Sequence, residues 1–210
     1  MYRKRLGGLL VTDMLNIRYL TGFTGSTAVL FIGVKRILFF TDFRYKYEAE
    51  RSLANEELVI AKSEIFQVIR KKMKLMGIKD LAFEYGAPYQ VFERLKKDFN
   101  LTALKGLIEK IRMVKSRDEI WNINLAVRRA ENAFSKTKKW IRTGVKESKV
   151  ANVLERNLKK EGCQKIPFDI IVASGIHSAL PHARVADKKI KEVTLLSLIG
   201  GERHMDTCQT

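Results

Sequence analysis

Two histidines on one loop are the side chains best placed to do chemistry in this sequence. The apolar run Phe168 to Ala173 reads as a strand, Ser174-Gly175 ends it, and a polar loop then presents His177 and His182. A loop at a strand end is a natural place for a site, because a rigid element fixes where its side chains start. A neutral imidazole there both donates and accepts hydrogen bonds and stabilises charge that develops beside it. For a lone loop histidine the plainer account is surface exposure. The strand expected after the histidine loop reads VTLLSLIGG, with no carboxylate between Glu192 and Glu202, and Asp206 stands alone near the end.

The elements that must hold these residues are legible from periodicity. Leu9–Thr12 is a short strand, and Ala28–Val34 with Arg36–Thr41 reads as a hairpin about a Gly33-containing turn. Phe43–Leu53 has helical spacing, Leu58–Ala61 is a strand, and Ile65–Met76 is a helix with Gly77 as its stop. Leu81–Glu84 is a strand and Pro88–Phe99 a helix. Strands alternating with helices imply a small α/β domain. Near Leu107–Val114 the pattern changes. Ser116 and Glu119 have the form of a capping box opening one long amphipathic helix to Arg142, and Val145–Glu161 makes a second helix ended by Gly162. The switch places a domain boundary at about 108–112.

Composition narrows the class. At 210 residues with 46% hydrophobic content, the chain buries a real core and is not disordered. The net charge of +17 invites a nucleic-acid or acidic-membrane reading. Its lysines and arginines are spread and interleaved with acids, however, so a solvated surface is preferred, with no nucleic-acid partner. No segment approaches the length of a membrane span, and the apolar start is too short for a signal peptide. Cys163 and Cys208 form neither a disulfide framework nor a metal-ligand spacing, which fits a cytoplasmic protein.

NIRYLTGFTGS (16–26), TDFRYKYEAE (41–50), KSRDEI (115–120), TGVKESKVANVLE (143–155) and FDIIVASGIHSALPH (168–182) follow one another in an order and spacing that resembles the pita-bread metallopeptidases. The closest branch is that of Xaa-Pro aminopeptidase and Xaa-Pro dipeptidase (prolidase), with a creatinase-type N-terminal domain. The resemblance covers residues from about 9 to 194. It implies an α/β N-terminal domain over 1–108, followed over 109–210 by the first half of an α+β pita-bread domain. It further implies a hydrolase that cleaves Xaa-Pro bonds in short proline-containing peptides, works as a homodimer and uses two divalent metal ions (Mn, Co or Zn). By position His182 matches the family histidine lining the substrate pocket, so it is the catalytic and substrate-binding candidate. The resemblance also makes Arg44 a candidate to meet a peptide carboxylate, since guanidinium grips carboxylate in bidentate fashion, against the preferred account of a surface arginine in a first helical turn; His177 stays with the surface.

The same resemblance exposes a departure. The family's first metal-binding aspartates lie on adjacent strands about eleven positions apart, where this chain has Leu195 and Asp206. Asp206 only superficially matches a ligand, so the metal ligands are expected to be missing, the catalytic domain incomplete and the chain inactive as written. Read in a shifted frame, the codons from Met205 onward allow Gly-Tyr-Met-Ser-Asp, and those of Leu198 and Ile199 allow an aspartate at the family spacing. A frameshift near codons 194–196 is therefore expected to explain the tail. The alternative is a non-catalytic pita-bread module that holds peptides or proteins.

Overall fold

The computed structural model of the chain describes residues 6–163, 166, 169–191 and 196–199. Two compact units divide between Val114 and Lys115. In the first, β1 (Gly8–Val11), β2 (Val29–Gly33), β3 (Ile37–Asp42), β4 (Glu57–Ala61), β5 (Asp80–Glu84) and β6 (Asn100–Leu104) form one sheet in the order β4-β3-β2-β1-β5-β6. The β1/β2 and β2/β3 pairs are antiparallel, whereas β1/β5, β3/β4 and β5/β6 are parallel. The expected hairpin is present, with Val29 opposite Phe40 and Phe31 opposite Leu38.

Period-two alternation sends neighbouring side chains to opposite faces. Leu10, Phe31, Leu38, Phe40 and Leu81 pack against α3 (Ile65–Leu75) and α4 (Tyr89–Leu95) on one side. Val11, Leu30 and Phe39 join Ile17 of α1 (Met14–Thr21), Ala49 of α2 (Lys46–Ser52) and Ile108 of α5 (Leu107–Met113) on the other. The sheet is thus covered on both faces, which explains why its central strands read as continuous apolar runs. The expected helix Phe43–Leu53 begins as a 3-10 turn, Phe43–Tyr45, before α2. The expected helix Pro88–Phe99 stops at Leu95, and Asn100–Leu104, to which the sequence assigns no element, is an edge strand.

A partly buried polar junction ties the first unit together. Asn16, 1% exposed, donates its side-chain amide to Glu84 Oε1 (2.7 Å) and Glu109 Oε1 (2.8 Å), and accepts from Arg112 Nη1 (2.8 Å). The other oxygen of Glu84 takes the backbone N–H groups of Thr12 (2.6 Å) and Asp13 (2.9 Å), which lead into α1. The Asn16 hydrogen bond and the Arg112 charge hold the Glu109 carboxyl below its ordinary range.

In the second unit α6 (Arg117–Lys138) starts at Ser116, whose hydroxyl accepts from the Glu119 N–H while the Glu119 carboxylate takes the Ser116 N–H at 2.8 Å. The capping box is therefore present in full. The helix ends at Lys138 instead of Arg142, because Trp140 N–H turns back to Thr137 O. Ala133 and Thr137 are its buried residues; Ile120, Val127 and Phe134 remain 48%, 48% and 41% exposed. The next helix, α7 (Glu147–Lys160), packs Leu154 and Leu158 against Ala133, and Val150 against Val172 of β7 (Ile171–Ser174). Antiparallel to β7 runs β8 (Leu196–Ile199), Ile171 facing Ile199 and Ser174 facing Leu196.

Replacing Asn16 by Ala takes from the buried Glu84 Oε1 its Asn16 donor and breaks the link to Glu109 and Arg112. The variant should lose about 2–3 kcal/mol in urea unfolding. Ser116→Ala, which removes a solvated cap, should lose about 1 kcal/mol. Equal losses would show that the partly buried junction contributes no more than an exposed cap.

Candidate functional site

Two surfaces carry the candidate residues, one in each unit. In the first, the segments 16–26 and 41–50 are knitted into one patch. Asp13 caps α1 by accepting from Leu15 N–H (2.8 Å) and Asn16 N–H (3.0 Å), and Gly22 ends the helix at φ 72°. Phe23, fully buried, then stands edge-on to Phe39 (4.9 Å) and Tyr45 (5.8 Å). Gly25 lies against those rings so closely that a Cβ would come within 2.3 Å of Phe23 and 2.7 Å of Tyr45. Ser26 Oγ and Tyr45 OH hydrogen bond at 2.6 Å, Thr24 N–H donates to Glu48 at 3.1 Å, and Thr41 Oγ1 donates to Thr27 O at 2.7 Å. The patch presents Phe43, Arg44 and Tyr47 to solvent.

Arg44 is already engaged. Its Nε and Nη2 donate to the two oxygens of Asp42 at 3.0 and 2.7 Å, its backbone N–H reaches Asp42 Oδ1 at 2.9 Å, and its guanidinium lies 5.5 Å from the Tyr45 ring centroid. This fork fixes the side chain while leaving the Nη1–Nη2 edge of a largely exposed group to meet another carboxylate. The Arg44 hydrogen bond holds the Asp42 carboxyl below its ordinary range, and the same bond raises Arg44.

In the second unit the loop after β7 turns at Gly175 (φ 60°) into a 3-10 segment, Gly175–Ala179, and continues through Leu180 and Pro181 to His182. His182 is exposed, His177 half-buried, and Ala183 buried behind the turn. The foot of this loop is tied to the start of α7. Lys146 Nζ (2.9 Å) and Ser148 Oγ (2.6 Å) donate to Asp187, holding its carboxyl below the ordinary range, chiefly through the Lys146 bond. Glu147, fully buried, accepts the N–H (2.7 Å) and hydroxyl (2.6 Å) of Ser174 on Oε1. Nothing in the sequence marks Glu147 as more than an acid in a helix's first turn, where the dipole favours any carboxylate. Only its packing makes it exceptional.

Among the described residues no three of His, Cys, Asp and Glu are grouped to hold a metal ion. Asp206 lies outside the described residues. A cavity of about 260 Å³ at the C-terminal ends of β1, β5 and β6 is lined by Asp13, Glu84, Tyr85, Lys105 and Glu109, and holds none of the sequence candidates. Among the described residues no helix is long and apolar enough to cross a membrane.

Residues 1–114 match the creatinase/prolidase N-terminal domain family and residues 122–207 match metallopeptidase family M24. An uncharacterised peptidase of Bacillus subtilis is 34% identical over 208 residues, covering 97% of this chain and 59% of that protein. An Xaa-Pro dipeptidase of Pyrococcus horikoshii is 30% identical over 201 residues, covering 93% of this chain and 56% of that protein. Among solved structures, an Xaa-Pro dipeptidase from Bacillus anthracis superposes with TM-score 0.88 at 35% identity, over 95% of this chain and 57% of that one. An X-Pro aminopeptidase from Thermotoga maritima gives TM-score 0.83 at 30% identity, over 95% and 59%. The chain thus spans somewhat more than half the length of these relatives.

The Asp42–Arg44 fork makes a pH-dependent contribution of definite sign. A carboxyl held low in the folded state stabilises fully above its unfolded value near ~3.9, and the contribution is lost as pH falls through the lowered value. Arg44→Ala should bring the Asp42 carboxyl back up toward ~3.9 in carbon-detected NMR titration. An unchanged titration would mean that the fork does not form in solution.

Proposed function

The chain belongs to metallopeptidase family M24, with the creatinase/prolidase N-terminal domain of its Xaa-Pro dipeptidase-like members, and on that footing we propose that it serves metal-dependent exopeptidase chemistry on short peptides with proline in second position. The observation that carries the reading is the histidine loop. His182 stands exposed in a loop whose two feet are bound to one helix start, so its imidazole is presented to solvent from a fixed base. In this role His182 donates to, or accepts from, the amide of the Xaa-Pro bond. Neutral imidazole suits either direction.

Arg44 is assigned to a peptide carboxylate through the guanidinium edge that Asp42 leaves open. The proposed assembly is a homodimer, and the proposed compartment the cytoplasm, in keeping with cysteines that form no disulfide framework. The two divalent ions of the resemblance, Mn, Co or Zn, would activate water and polarise a carbonyl. The described residues do not fit them: no ligand group is present there, and β8, the strand that would carry the first carboxylates, reads Leu196-Ser197-Leu198-Ile199. The part assigned to this chain is therefore recognition, and the sequence as written is proposed to be inactive on its own.

Titration of the chain with Ala-Pro, followed by NMR of the histidine side chains, tests this. The His182 resonances should shift saturably, and His182→Ala should weaken binding about tenfold, the loss of roughly one hydrogen bond. Ala-Pro should remain intact during the titration with Mn, Co or Zn added. Absence of binding would remove the recognition reading, and metal-dependent hydrolysis would remove the claim of inactivity.

A further inference from the structure

The three hydrogen-bonding groups of Ser174 are held by two reaches of the same stem. Its N–H and hydroxyl go to Glu147 Oε1, and its carbonyl accepts from Lys188 Nζ at 2.7 Å. The return side of the loop is laced to the same helix start. Glu147 N–H donates to Lys188 O (2.9 Å), Ser148 N–H to Ala186 O (3.1 Å), Ile190 N–H to Val145 O (2.9 Å) and Gly144 N–H to Ile190 O (2.8 Å). One residue, Glu147, therefore touches both feet: its side chain takes the outgoing strand end and its backbone the returning chain. Glu147 and Ser174 are both 0% exposed. Among the described residues Glu147 Oε2 is buried without a hydrogen-bond partner, so both bonds converge on the one oxygen.

A buried carboxylate is expensive unless what it holds requires it. What it holds is the point where a buried strand ends and the chain turns through a left-handed glycine, Gly175, into the histidine loop. Without Glu147 the last N–H and hydroxyl of β7 would be buried without an acceptor. We propose that Glu147 is the positioning residue of the histidine loop, fixing the outgoing foot against the returning one so that His182 is presented in a single place. It acts through Ser174 and touches no peptide. The functional half of the inference rests on the reading that His182 meets the peptide; the mechanical half does not.

The test compares three variants of the whole chain. Glu147→Leu removes the acceptor, Glu147→Gln keeps a carbonyl oxygen for Ser174, and Leu158→Ala lowers stability from the separate Ala133–Leu154–Cys163 cluster without touching the stem. Hydrogen exchange without peptide reads the stem. In Glu147→Leu the amides of Ser174, Ser148 and Ile190 should exchange at least about tenfold faster relative to the α7 interior, whereas Leu158→Ala should leave that ratio unchanged. Ala-Pro affinity, read at His182, should fall at least about tenfold in Glu147→Leu and stay within about threefold in Glu147→Gln and Leu158→Ala. Should Glu147→Leu not fold, Ser174→Ala, which removes one of the two donors, replaces it with the same expected direction. Equal exchange ratios in all variants, or equal affinity losses in Glu147→Leu and Leu158→Ala, would overturn the proposal. If the unaltered chain does not bind Ala-Pro, the functional reading fails, and the exchange ratios still decide whether Glu147 fixes the loop.

Discussion

Where a strand leaves the interior and becomes a loop, its last polar groups lose their ladder partners but have not yet reached water. At the end of β7 that constraint falls on Ser174, and the structure meets it with a buried carboxylate from α7 rather than with solvent. Much of the second unit follows from this arrangement. The start of α7 must lie beside the end of β7, so Val150 packs on Val172, and the chain between Gly175 and Val185 must leave from and return to the same place. A loop closed over so short a span loses little further freedom when it meets a ligand.

The first unit solves a similar problem by other means. Its sheet is buried on both faces, so polar groups at the strand ends must be satisfied locally. Glu84 does this for the entry to α1, while Asn16 links that carboxylate to Glu109 and Arg112 of α5. The surface patch around Arg44 depends on the same economy of contacts. Gly25 has no room for a side chain because Phe23 and Tyr45 close over it, and Tyr45 then fixes the turn that aims Arg44 outward.

Much of this fold was legible in the sequence, for identifiable reasons. The hairpin Val29–Asp42 has long β-branched and aromatic runs about a turn, and Ser116 with Glu119 is a local signal that tertiary packing has no cause to override. β6 was not legible. Asn100-Leu101-Thr102-Ala103-Leu104 is an edge strand, half-exposed, and its alternation is too weak to stand out after a helix. Phe99 is buried next to it, which prolonged the helical spacing of α4 beyond its true end. Periodicity identified α6 as amphipathic but not which residues would be covered: Ala133 and Thr137 are buried, while the larger Ile120, Val127 and Phe134 stay partly exposed. At the candidate site His182 and Arg44 were marked by their sequence context. Glu147 was not, since a glutamate at a helix start looks alike whether it faces water or a strand end.

The proposed role of this chain depends on whether the loop that Glu147 and Ser174 secure meets the proline peptide through His182. The direct measurement is the nuclear Overhauser effect between the His182 imidazole protons and bound Ala-Pro. The account predicts cross-peaks from the imidazole to the alanyl and prolyl protons that flank the amide, and their disappearance when the peptide is displaced. Saturable Ala-Pro binding with contacts confined to other residues, and none to His182, would contradict it.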